Sequence, residues 1–187
     1  MPDFTVTEEI ITQISKQYHM SEERVRGIQG LYEGLAGGMK LQYLAHIIRT
    51  MEESLRIVSG NPMFRIVCSP VDQSSKEFGI ARAQYFKNRY FAIYYHPDTN
   101  EKQLRVLLAH ELGHLFLIEM VNSTFNEQFS GNAEVEPAST IFGIFTILDK
   151  NQFYYNMTTP FKHDSPDDVL KDFQLLDNRS KGILNIS

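Results

Sequence analysis

The sequence predicts an α+β fold: helices first, then a small, mostly antiparallel sheet, then a helix carrying His-Glu-x-x-His followed by a further helix. Three observations predict it. Apolar residues at Leu41, Leu44, Ile48, Met51, Leu55 and Val58 keep the three-four spacing of an amphipathic helix. From Met63 the pattern changes to short β-prone runs over 63–68, 79–86 and 89–96. An apolar, helix-compatible run, Leu107 to Leu117, then carries His110-Glu111-Leu112-Gly113-His114.

With 187 residues, 42% hydrophobic and 22% charged, the chain can bury one good core. The pattern divides it into an N-terminal helical segment (1–60) packed on the core, a core (61–150) and a C-terminal extension with one helix (151–187). The net charge of −5 and pI of 5.7 give no overall basic footprint for nucleic acid or an anionic membrane. The start, Met1-Pro2-Asp3-Phe4-Thr5, has neither a basic nor an apolar leader region, and no apolar run is long enough to span a bilayer. A cytoplasmic protein without a membrane partner is expected. Cys68 is the single cysteine, so an internal disulfide is excluded, which suits a reducing compartment.

Element by element, Thr5-Val6-Thr7-Glu8 reads as a capping box opening a helix through Ile10, Ile11, Ile14 and Tyr18. Ser21 restarts a second helix through Val25, Ile28, Leu31 and Leu35 that ends at Gly37-Gly38. The pair loosely resembles a helix-turn-helix, but Glu22 and Glu23 offset Arg24 and Arg26, so nucleic acid is not the expected partner. The helix from Leu41 to Val58 presents a stripe that fits the core and could serve as a homodimer seam. Lys87-Asn88 fits a two-residue hairpin turn between the second and third strands. Asp98-Thr99-Asn100-Glu101 is a second capping box, launching the metal helix. Pro137 permits a further helix start ahead of the apolar run Ile141 to Leu148. Ser165-Pro166-Asp167-Asp168 opens a last helix through Val169, Leu170, Phe173 and Leu176.

The chemistry lies in the His-Glu-x-x-His pattern. Residues four apart sit one turn above each other, so His110 and His114 can grip one ion, while Glu111 points elsewhere and is free to act as a base. Gly113 costs a helix interior about 1 kcal/mol relative to alanine, a sign that something approaches closely there. A catalytic zinc takes three protein ligands. Downstream, the first helix-compatible carboxylates are Glu134 and Glu136, about 200° apart on a helix, so one of them can serve. Cys68 is a further thiolate candidate, against which stands an ordinary buried strand cysteine.

The run from Leu104 to Leu117, centred on Leu-Ala-His-Glu-Leu-Gly-His, resembles the metallopeptidase domain of the ImmA/IrrE family, a gluzincin-like group. The resemblance spans about residues 63 to 150 and implies a zincin-like core holding one Zn²⁺ per chain. Its second ligand helix has the pattern Glu-x-x-Ala-Asn-x-Phe-Ala. Glu136-Pro-Ala-Ser139-Thr140-Ile-Phe142-Gly143 follows it, with Ser139-Thr140 in place of Ala-Asn. That alignment implies Glu136 as third ligand, with Glu134 the alternative. Peptide deformylase, which pairs the same motif with a cysteine ligand, fits poorly because it has Asp where Gly113 stands.

The expected function is zinc-dependent hydrolysis of a peptide bond in a protein or peptide substrate by a metal-activated water, with Glu111 as general base. The resemblance implies limited proteolysis of a regulatory protein. His163, Tyr154, Tyr155 and Tyr95 are candidates to stabilise the transition state. The alternative is a regulatory or interaction module with a structural or inactive metal site, contacting DNA or protein through its N-terminal helices.

Overall fold

The computed structural model describes residues 6–36, 49, 52–53, 56, 62–63, 65–70, 81–86, 90–95, 97, 101–115, 117, 132–148 and 165–184. The expected helix from Leu41 to Val58, and with it the homodimer seam, lies almost wholly outside these residues, as does the Lys87-Asn88 turn.

Helix α1 is Glu8–Tyr18. Its N-cap is Thr7, not Thr5: the Thr7 hydroxyl accepts from the Ile10 amide at 3.4 Å, and Glu8 and Glu9 place negative charge at the positive end of the helix. The helix stops at His19, which takes the left-handed conformation (φ 52°). Ser15 holds the turn closed, its carbonyl accepting from the Met20 amide at 3.1 Å and its hydroxyl donating to the Met20 carbonyl at 2.6 Å. Ser21 then caps α2, Glu22–Ala36, through the Arg24 amide. Ile10, Ile11 and Ile14 of α1 and Val25, Ile28 and Tyr32 of α2 are buried in the core. The outer faces are joined by Thr12 donating to Glu22 and by the Arg26–Glu8 ion pair.

Three strands follow: β1, Arg65–Pro70; β2, Ala81–Phe86; and β3, Tyr90–Tyr95. Strand β3 is central. It pairs antiparallel with β2 and parallel with β1, in the register Arg65 to Tyr90 through Pro70 to Tyr95. The remaining elements are helices. This corrects the expected fold class: the chain is mostly helical with a small mixed strand arrangement, and the α+β, zincin-like assignment with a mostly antiparallel sheet is overturned. The reason is physical. Alternation within a strand reports which face is buried and carries no information about the direction of the neighbouring strand.

Helix α3 is Glu101–Leu115, α4 is Asn132–Leu148 and α5 is Pro166–Leu184. Helix α4 begins ahead of Pro137, where a fresh start was expected. Proline lacks the N–H that would bond back one turn, yet packing against α3 sustains the helix through it. From Ala138 to Leu148 every residue of α4 is buried. It can be apolar all round because α3, α2 and α5 each pack on it. Tyr32 of α2 meets Phe142 edge-on, with ring centroids 5.5 Å apart.

The Ser165 hydroxyl caps α5, accepting from the Asp168 amide at 3.3 Å, with Pro166 in the first helical position. Val169, Leu170, Phe173 and Leu176 are buried, as their spacing requires. Helix α1 also reaches α5: Gln13 donates to Asp167 and Gln17 to the Leu170 carbonyl. Among the described residues no helix is long and apolar enough to cross a membrane.

Candidate metal centre

Helices α3 and α4 form the most extensive helix pair, and two glycines let them approach. A Cβ on Gly113 would stand 2.4 Å from the Ser139 carbonyl oxygen and 2.9 Å from its Cα. A Cβ on Gly143 would stand 3.0 Å from the Ala109 carbonyl carbon and from the His110 nitrogen. Each glycine therefore opens its own helix to the other's backbone, the two contacts lying about one turn apart. The close approach that Gly113 signals in the sequence is thus the Ser139 backbone.

That approach brings together His110 and His114 from α3 and the exposed Glu136 from the first half of α4. The two Nε2 atoms are 3.0 Å apart and the rings meet nearly edge-on at 83°. Glu136 places Oε1 3.3 Å from His114 Nε2 and Oε2 3.6 Å from His110 Nε2. Around a tetrahedral zinc with bonds of about 2.0–2.1 Å, neighbouring donors stand about 3.3 Å apart. The histidine pair stands near that edge, each carboxylate oxygen faces a different histidine, and one donor atom from each residue lies within 4.8 Å of the others, a set that a zinc ion could draw together.

The cluster is asymmetric. The histidine side chains are 11% and 14% exposed and the Glu136 side chain 64%, so the site is walled on the α3 side and open at the carboxylate. Proximity to His110 and His114 holds the Glu136 carboxyl well below the usual carboxylate range. At His110 burial, the largest influence, opposes the charged imidazolium. The Glu136 carboxylate and the charges of Glu111 and Asp177 outweigh it, so its pKa lies above the ordinary value. A divalent cation arriving here would displace protons as it binds. Glu111 is 7% exposed, and burial pushes its carboxyl up against the opposing pull of His110 and His114.

Behind His110 lies a second layer. Its Nδ1 is 2.9 Å from the Thr140 hydroxyl, which donates to Asp177 Oδ1 at 3.3 Å. Neither residue was singled out from the sequence. Thr140 had a usable signal, since it lies four residues after Glu136 and so shares its face of α4. Asp177 had none, because only the docking of α5 brings it near.

Of the remaining sequence candidates, Glu134 lies on α4 but its side chain falls outside the described residues, as does that of Cys68 on β1. Tyr154, Tyr155 and His163 also fall outside them. Tyr95, at the end of β3, is partly buried against the core. Among the described residues, the metal-competent group is His110, His114 and Glu136. Glu136→Ala should weaken zinc binding more than about 100-fold, since a lost ligand costs more than a lost supporting contact. Glu134→Ala should keep about one zinc per chain, by elemental analysis after dialysis. Retention of zinc by Glu136→Ala would remove Glu136 from the site. Compared with protein-family models, curated proteins and solved structures, the chain finds no match in any of the three.

Proposed function

We propose that the chain is a zinc-dependent peptidase that cuts a protein or peptide substrate, with His110, His114 and Glu136 holding one ion and Glu111 acting as general base. The observation that carries this reading is the His110, His114 and Glu136 cluster, whose donor atoms lie within 4.8 Å of one another, with a buried carboxyl group next in sequence to the first ligand. A purely structural site has no use for that carboxyl. The resemblance of residues 104–117 to ImmA/IrrE metallopeptidases supports the same assignment, and with it a regulatory protein cut at a limited site.

Zinc in such a site supplies Lewis acidity, polarising a carbonyl and making water more acidic. Glu111 takes the proton from the attacking water and delivers it to the departing amine nitrogen. Its burial suits that exchange, because a carboxyl group raised above its ordinary range holds a proton more readily and can return it. His110 and His114 stay neutral as ligands, and Glu136 offsets the charge of the ion. The exposed side at Glu136 leaves the ion reachable by a substrate.

The test is incubation of the zinc-loaded protein with a complex peptide library, reading new termini by mass spectrometry. Cleavage that stops on zinc chelation and returns with added zinc is the expected result. Stoichiometric zinc without cleavage across the library would overturn the peptidase reading and leave a structural metal site.

A further inference from the structure

We propose that Asp177, acting through Thr140, is a positioning residue that fixes the tautomer and ring orientation of His110, which makes helix α5 part of the metal centre. The inference rests on the metal-site reading above and adds to it residues from outside the ligand helices.

The argument is one of counting protons. A threonine hydroxyl has one hydrogen to give, and an ionised carboxylate can only accept. Thr140 Oγ1 gives its hydrogen to Asp177 Oδ1 at 3.3 Å. Toward His110 Nδ1, 2.9 Å away, the same oxygen can then only accept, so Nδ1 must carry the ring hydrogen. A neutral imidazole has one N–H, and Nε2 is left with its lone pair. Nε2 is the atom that faces His114 and Glu136. Without Asp177 the hydroxyl is free to turn and donate to Nδ1. That selects the opposite tautomer, whose Nε2–H points into the site and blocks ligation.

Tyr18 of α1 lies close enough to Asp177 for the carboxylate charge to act on the phenol, and its hydroxyl accepts from Gln17 Nε2 at 3.0 Å. Burial, reinforced by the Asp177 charge, keeps Tyr18 protonated and therefore a donor. The donors His110 and Thr140 thus point toward the Asp177 carboxylate, and Tyr18 of α1 stands near it. Four helices, α1, α3, α4 and α5, meet there.

The test measures zinc affinity and the imidazole spectrum of the full chain. In the zinc-loaded wild type, ¹⁵N-resolved NMR of His110 should show zinc on Nε2 and a slowly exchanging hydrogen on Nδ1. Thr140→Val and Asp177→Asn should weaken zinc binding about 10- to 100-fold and broaden or remove the Nδ1–H signal, whereas Thr140→Ser should restore both to near wild type. Circular dichroism of the zinc-free variants separates loss of fold from loss of positioning. Zinc on Nδ1 of His110, or unchanged affinity and spectrum in both Thr140→Val and Asp177→Asn, would overturn the inference while leaving the three-ligand site standing. A wild type that takes up no zinc overturns both.

Discussion

Glu111→Gln should retain one zinc per chain and lose about 10²- to 10⁴-fold in peptide hydrolysis, the usual contribution of a positioned general base. The loss corresponds to about 3–5 kcal/mol of transition-state stabilisation. Glutamine fills the same volume but cannot take up a proton, so the defect should fall on kcat, with KM little changed. Stability should move the other way. Burial is the largest influence on Glu111, and it disfavours the charged form. A neutral amide there escapes that desolvation cost, so the melting temperature should stay level or rise. Hydrolysis at the wild-type rate by a zinc-loaded Glu111→Gln protein would show that another group is the base.

Gly113→Ala should destabilise the fold and weaken zinc binding together. Two effects compete. Alanine favours a helix interior by about 1 kcal/mol over glycine. Against this, its methyl group would meet the Ser139 backbone, with the carbonyl oxygen at 2.4 Å and Cα at 2.9 Å. A long side chain could swing aside, but backbone cannot, so α3 and α4 must part. Overpacking of this kind costs about 1–3 kcal/mol and here outweighs the gain in propensity. Because Glu136 sits one turn before Ser139 on α4, parting the helices also draws the carboxylate from the histidines. Gly143→Ala should be milder, since its nearest contacts lie at 3.0 Å and one of them is the Phe173 side chain. Denaturant melts paired with zinc titrations measure both effects. Wild-type zinc affinity in Gly113→Ala would show that the helix spacing does not set the site.

How much of this was readable in advance varied by element, for reasons of locality. The cap of α5 and its buried set, Val169, Leu170, Phe173 and Leu176, were legible because capping and helical periodicity are properties of a few adjacent residues. The pairing of His110 with His114 was legible for the same reason. At α1 the threonine two residues later won, because only the Thr7 hydroxyl stands one turn from the Ile10 amide. The antiparallel neighbours β2 and β3 follow from a short connection, but the parallel placement of β1 beside β3 does not, because it is a neighbour relation distant in sequence. Thr140 shared a face with Glu136 and could have been named. Asp177 could not, since its place beside Thr140 depends on how α5 docks.

Helix α4 is enclosed from Ala138 to Leu148, with neighbours on all its long faces. A helix in that position cannot fray or swing out on its own, because opening it would expose the cores of α2, α3 and α5 at once. Its motions are therefore tied to unfolding of those neighbours, and the exposed Glu136 carboxylate is carried by the same helix. The chain keeps its ligand at the surface while anchoring it in the interior, so departure of an ion leaves the donor geometry ready for the next one.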